Sequence, residues 1–520
     1  MKAKDSIHEL IKSLTKSEKR YFKLMSSRHT IGDENNYILL FDFIEKQTEY
    51  DEEVLFKTFK GQAFLNKFSI TKKRLYDHIL NSLDLFHSSS SIDAQIFKQL
   101  HSADILYNKS LYDQCRTILR SAEKLAEKHN RFNLLLEISK KQKRLHENKG
   151  YAEISAMEIV SILERDNYLH DQSFTYNKLW NIKSQLFHLL SHKGVSRSQE
   201  DILNFKSIID DLTQSVNKEI FYFDTHYLFH HIYSAYYFAI NDFQNCLDHL
   251  KINIEYFENH PQLIENHPNS YFSILTNAIF VSEKQEKYKE ANGLLEKLKQ
   301  LPAKIEMDNN EDLQIKLFSS INSIELSMLT RRGDFDKAVK LVPLIERGLM
   351  TYGANLSAPR IAFLEFKMAV IFLSLGECSS ALKWINNILN NKRLDQKEDL
   401  FSFAQLLDLL IHLEMKNTQL LPYALKNTQR YLKSHNRVFS FEKMFLKLIS
   451  KIIKSDDVFD KEAVWEELHS SLKTIEGDAM DSVALEYFDF QSWAESKFKR
   501  IPFTKIVSEK FNNKFSVTTR

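Results

Sequence analysis

The stretch Leu373–Leu389, LSLGECSSALKWINNIL, decides the fold. Gly376 interrupts an apolar helical pattern that contains Ala369 and Phe372. Beyond it, Ala381, Ile385 and Ile388 recur at the spacing of one helix face. The stretch reads either as one helix with a blemish or as two helices meeting at a turn. Glycine is favoured just past a helix end, where φ turns positive, so the pattern predicts a hairpin turning near Gly376.

The same layout recurs upstream. In Leu329–Ile345, LTRRGDFDKAVKLVPLI, the residues Gly333, Phe335, Ala338, Val342 and Ile345 fall at matching offsets, with Leu326 and Leu329 before them. Tyr288, Ala291, Leu295 and Leu298 do the same, with Pro302 as a stop. So do Phe243, Cys246 and Leu250, and likewise Ala103, Leu106, Tyr112, Cys115, Leu119 and Ala122. In these three copies Glu286, Asn241 and Ser110 replace the turn glycine. The small residues Cys246, Ala291, Ala338, Ala381 and Ala424 are spaced by 45, 47, 43 and 43 residues. A small side chain suits the point where two helices cross closely. Cys115 lies 131 residues before Cys246, about three such steps, so two degenerate repeats are expected between them.

This small–aromatic–glycine–aromatic–small order resembles a tetratricopeptide repeat, best at Ala369, Phe372, Gly376 and Ala381 and at Gly333, Phe335 and Ala338. It covers roughly residues 100–480, strongly in the middle and weakly at 131–220 and beyond 400. The period departs from the family's repeat of about 34 residues, which implies helices longer by about a turn each. The whole chain is also similar to an uncharacterised family of bacterial helical-repeat proteins, a likeness that implies no activity. The resemblance implies an all-α fold: a right-handed α-solenoid of tetratricopeptide-like hairpins. The expected divisions are a helical domain at 1–88, the array at 93–480, and a capping helix with a basic tail at 481–520.

Composition agrees with an all-helical chain. Ten glycines and seven prolines in 520 residues are far below the usual ~7% and ~5%, too few for a turn-rich sheet protein or cofactor-wrapping loops. Lys and Arg total 71 against 69 Asp and Glu, so no bulk polyanion is implied as a partner. Three dispersed cysteines exclude a disulfide framework and point to a reducing, cytoplasmic setting. Cys115 and Cys246 sit at the crossing position and Cys378 beside the turn, where all three read as small buried hydrophobes. MKAKDSIHELIKSL has neither an apolar core nor a small-residue cleavage site, so no signal peptide is expected. The longest apolar run, MAVIFLSL at 368–375, is far short of the ~20 residues of a membrane helix.

The first 88 residues fall outside the repeat. Ile7, Leu10, Ile11 and Leu14 share a helical face, and Thr15–Glu18 is a capping-box pattern opening a second helix. Ile70, Leu75, Ile79 and Leu83 mark the face of a longer helix that begins Thr71, Lys72, Lys73, Arg74. Those three cations suit a helix approaching phosphates. The connection before them, KGQAFLNKFS, is much longer than the usual turn of roughly 3–4 residues, and Asp33–Glu34 and Asp51–Glu53 spoil a basic face. A plain helical cap is therefore the expectation, with nucleic-acid binding through Lys72, Lys73 and Arg74 as the alternative. The end of the chain is basic, with Lys497, Lys499, Arg500, Lys505, Lys510, Lys514 and Arg520 against Glu495 and Glu509. It reads as a solvated helix covering the end of the array.

No motif for catalysis emerges. No glycine pair forms a phosphate-binding loop, and HExxH, CxxC and GxSxG are absent. His226 with His230, and His188 with His192, are i,i+4 pairs that would need further ligands to hold zinc, and the sequence supplies none. The Glu/Lys-rich faces read as solvated ion pairs. No enzyme activity, cofactor or metal is expected. What the resemblance implies is a groove lined by the first helix of each hairpin, holding a partner's peptide or helix. Carried over by offset, its lining residues are His231, Phe238, Phe280, Lys284, Arg331 and Phe366. The lysine–asparagine set with which the family clamps a C-terminal carboxylate is not at these offsets. The expected role is a non-enzymatic scaffold for a protein partner, in the cytoplasm and away from membranes. The alternative is a nucleic-acid-associated regulator using the N-terminal helices and the basic tail.

Overall fold

A computed structural model of the chain describes residues 5–27, 36–88, 91–196, 198–215, 222–305, 310–391, 394, 399–417, 419–435, 437–438, 440–454, 458–475 and 487–518. Asp33, Glu34, the tail's Arg520 and the side chain of Lys514 lie outside the described residues. Every regular element among the described residues is a helix. None of these helices is long and apolar enough to cross a membrane. Packing separates the chain into two compact units, Met1–Asn181 with Ser215–Leu228, and Ile182–Gln214 with Phe229–Arg520.

In the first unit, α1 (Ser6–Ser13), α2 (Lys16–Ser27), α3 (Asn36–Lys46), α4 (Glu52–Thr58) and α5 (Phe68–His87) enclose Ile7, Ile11, Phe22, Phe41, Leu75 and Ile79. The capping box forms: the Thr15 N–H donates to Glu18 at 2.7 Å and the Glu18 N–H to Thr15 Oγ1 at 3.2 Å. Ile70 is an exception to the expected face of α5, being half-exposed, and Phe68 takes its place in the core. A second core lies under α6 (Ile92–Asn108), α7 (Tyr112–Lys128) and α8 (Phe132–Asn148), around Leu100, Cys115, Leu119 and Leu135.

Two further repeats do not follow. The structure has instead α9 (Ala156–Lys193), a single helix of 38 residues, and α10 (Gln199–Ser215). No glycine or proline occurs within Ala156–Lys193, so nothing in the backbone breaks the helix before Gly194, which has φ +72°.

The second unit is built from hairpins. Besides the end of α9 and α10, its helices are the end of α11 (Phe223–Ala239), then α12 (Phe243–Asn259), α13 (Pro261–Asn266), α14 (Pro268–Lys284), α15 (Tyr288–Gln300), α16 (Glu311–Arg332), α17 (Phe335–Ala338) and α18 (Val342–Tyr352). They continue with α19 (Ala358–Ser374), α20 (Cys378–Leu389), α21 (Asp399–Glu414), α22 (Leu421–Ser434), α23 (Ser440–Lys454), α24 (Val458–Ile475), α25 (Phe490–Lys499) and α26 (Phe503–Thr518).

One backbone device makes the hairpin turns. Gly376 has φ +81°; its N–H donates to the Leu373 carbonyl at 3.1 Å, and that of Glu377 to the Phe372 carbonyl at 2.8 Å. This paired closure is a Schellman motif. Gly333 repeats it at φ +78°. The replacements for glycine adopt the same shape, with φ +58° at Glu286 and +62° at both Asn241 and Ser110. Lys416 at φ +54° closes a further turn of this kind. Five residues after each turn comes the crossing position, held by the buried Cys115, Cys246, Ala291, Ala338 and Ala381. After Lys416 that register reaches Leu421, which is buried, and Ala424 lies three residues further on, only partly covered.

Candidate functional site

The face built by α14, α16, α17 and α19 carries a cavity of about 730 Å³. Phe280, Glu283 and Lys284 of α14 line it, with Ser327 and Arg331 of α16 and Phe363 and Lys367 of α19. Three of the expected groove residues meet there. Phe280 remains 46% exposed, and the Lys284 ammonium stands 5.5 Å from its ring centroid, a cation–π contact. Arg331 reaches Glu283 at 3.4 Å. Burial raises the Glu283 carboxyl, while Arg331, Arg332 and Lys367 pull it down. Its Oε1 is buried without a hydrogen-bond partner.

The other three lie elsewhere. Phe238 stands one ring back from the cavity, with its centroid 6.1 Å from that of Phe280. His231 packs on Phe187 at 5.4 Å. Burial, with Lys183 nearby, pushes His231 down to about 4, so it is a neutral ring at pH 7. Phe366 is fully buried, edge-on to Tyr487 at 5.8 Å, which removes it from any docking surface. Its offset is that of a groove residue, but the chain's own later segment covers it.

That segment is what reading the sequence missed. The basic tail does not simply cover the end of the array. Tyr487 stacks on Phe403 of α21 at 4.4 Å, Phe503 packs on Phe335 at 5.7 Å, and Phe511 packs on Tyr288 at 4.9 Å. Tyr487, Phe488, Phe503, Val507, Lys510 and Phe511 all line the cavity. Charge drew attention to the tail, whereas the informative signal is the apolar spacing Phe503, Val507, Phe511, one stripe on a helix. The tail's cations are largely engaged. Lys497 pairs with Glu414, Lys499 and Lys510 with Glu495 at 2.6 and 2.8 Å, and Lys505 with Glu509 at 3.8 Å.

In the first unit the candidate phosphate-binding cations divide. Lys72 forms ion pairs with Asp5 and with Glu52, the latter at 3.5 Å, and lies 5.0 Å from the Tyr50 ring, so its charge is spent inside the domain. Lys73 and Arg74 are exposed.

The thiols and imidazoles fall into packing roles. Burial, aided by Asp242, pushes Cys246 up to about 12, and burial also raises Cys115 and Cys378, leaving all three as poor nucleophiles. His230 shares a 2.9 Å hydrogen bond with His249, whose ring stacks on Tyr233 at 5.0 Å. His192 Nδ1 hydrogen-bonds the His188 carbonyl at 2.8 Å. Among the described residues no three His, Cys, Asp or Glu side chains gather into a metal-holding group. Compared with known proteins, the chain matches no family model, no curated protein and no solved structure, so its likeness to tetratricopeptide repeats rests on its residues.

Proposed function

We propose that this chain is a non-enzymatic cytoplasmic scaffold. On this reading its repeated hairpins form a right-handed, tetratricopeptide-like solenoid with a lengthened repeat. It holds a peptide or helix of a protein partner on the face of α14, α16 and α19. The supporting observation is that Phe280, Lys284 and Arg331, from two successive first helices of the hairpins, come to one cavity wall with Phe280 half-exposed. An aromatic surface beside cations is the usual make-up of an anchor point in protein recognition. The evenly repeated Schellman turns and small crossing residues support the solenoid, because identical hairpins stack with a constant offset.

The test is affinity capture of a tagged chain from its native cytosol, with and without nuclease, beside a Lys284→Glu variant. Lys284 is the better site for charge reversal because Arg331 also neutralises Glu283. A discrete protein retained after nuclease and lost with Lys284→Glu is the expected outcome. Recovery only of nucleic-acid-linked proteins that vanish with nuclease would overturn the scaffold in favour of a nucleic-acid-associated regulator.

A further inference from the structure

The segment Tyr487–Phe511 visits the second unit's hairpins in reverse order. Tyr487 touches α21 and α19, Phe503 the start of α17, and Phe511 the start of α15. A chain segment laid along the face of a repeat array is what a bound partner would look like, and here the chain supplies it.

The two helices of this segment are held differently. In α25, Phe490, Ser492, Trp493, Ala494, Glu495 and Ser496 are all buried, and the Trp493 indole N–H donates to Glu414 at 2.7 Å. In α26, Ile506 and Val507 are buried, while Phe503 and Phe511 are only partly covered. A cleft of about 730 Å³, partly open to solvent, runs beside α26, which lines it with Phe503, Val507, Lys510 and Phe511. The contact of α26 is therefore less complete than that of α25, which is part of the core. Between them Arg500 takes a left-handed conformation at φ +55°, two residues before Pro502, so the helices are separate segments that can part at this point.

We propose that the face of α14, α16, α17 and α19 is a receptor for an amphipathic helix and that α26 is an internal occupant which a partner helix displaces. The inference rests on the scaffold reading above and names the partner's chemistry. The fitting helix carries two aromatic residues two turns apart, a branched aliphatic between them and a lysine just before the second aromatic. Those are the roles of Phe503, Phe511, Val507 and Lys510. Rings at i and i+8 project from one side of a helix, and the lysine takes Glu495, as Lys510 does at 2.8 Å. Because α26 already occupies the face, a partner's apparent affinity is lowered by the fraction of molecules in which α26 is seated.

Two measurements test this. Hydrogen–deuterium exchange on the unaltered full chain should show α26 amides exchanging at least about tenfold faster than those of α25. Fluorescence anisotropy with a labelled synthetic peptide of residues 501–518 should show binding about tenfold tighter to a full-length Phe503→Ala/Phe511→Ala variant than to the unaltered chain. The same peptide with both phenylalanines replaced by alanine should bind neither. Exchange in α26 as slow as in α25 overturns the proposal, as does a double variant that keeps its helical circular dichroism yet binds no peptide. If the variant unfolds, the exchange comparison decides alone. A concentration-dependent dimer of the unaltered chain, dissolved by the peptide, would assign the face to α26 of a second copy and overturn the partner helix. Peptide binding without Lys284-dependent capture would remove the scaffold reading alone, and capture without peptide binding would remove this inference alone.

Discussion

Glu365 lies buried on α19 with a single hydrogen bond, from the Asn387 side-chain amide at 3.2 Å. Burial pushes its carboxyl up to about 7 from the usual 4.5, against the small downward pull of that bond. A carboxyl raised on folding stabilises fully below its unfolded pKa and loses that contribution as pH climbs through the folded value. The window here is therefore pH 4.5 to 7 and just above, and the loss is about 3 kcal/mol. Glu365→Gln should remove this dependence, so that urea unfolding at pH 5 and pH 9 differs less in the variant than in the parent. An unchanged pH dependence would show that Glu365 is solvated. The two turn glycines offer a second comparison. A Cβ on Gly376 meets nothing within 4 Å, so Gly376→Ala should cost only the left-handed penalty, roughly 1–2 kcal/mol. A Cβ on Gly333 would stand 2.7 Å from the Ser508 nitrogen. Gly333→Ala should therefore cost more in thermal unfolding, and should speed exchange in α26 where Gly376→Ala does not.

At the scale of the element, the Schellman turn does not depend on glycine. Glu286, Ser110 and Lys416 adopt it with side chains that disfavour positive φ, and Asn241 with one that tolerates it. The helices on either side impose the conformation through their packing, and the strain stays at the turn. Glu286→Gly should stabilise the chain by up to about 1 kcal/mol, read as a raised melting temperature. A lowered melting temperature would mean that the Glu286 side chain contributes more than its backbone costs. Most of the hairpin pattern was legible because turn residue, aromatic and small residue keep fixed offsets. Ala424 was misplaced because its turn carries neither a glycine nor a small crossing residue, leaving no marker of register.

At the scale of the molecule, most packing joins helices that are neighbours along the chain, such as α6 with α7, α14 with α15, and α19 with α20. Stability in such a chain spreads through neighbours and fades with distance. Leu119→Ala and Ile385→Ala each delete a fully buried side chain and should each cost about 2–5 kcal/mol. Exchange should rise across α6–α8 for the first and across α19–α21 for the second. A uniform rise throughout either variant would contradict local coupling. The return of α26 onto α16 breaks the neighbour rule, and it makes the candidate site a property of distant segments rather than of one repeat.

The sequence by itself determined the helical class, the hairpin turns at Ser110, Asn241, Glu286, Gly333 and Gly376, the small crossing positions after them and the burial of Cys115 and Cys246. All of these are set by residues within a few turns of each other, where periodicity and backbone preference act directly. Only the tertiary structure decided that Ala156–Lys193 is one helix, that Phe366 is covered, that Lys72 is neutralised by Asp5, and that Tyr487–Phe511 lies on the face of α14 and α19. Those outcomes depend on which of several apolar faces reach one another after the hairpins stack. Spacing along the chain carries no measure of that.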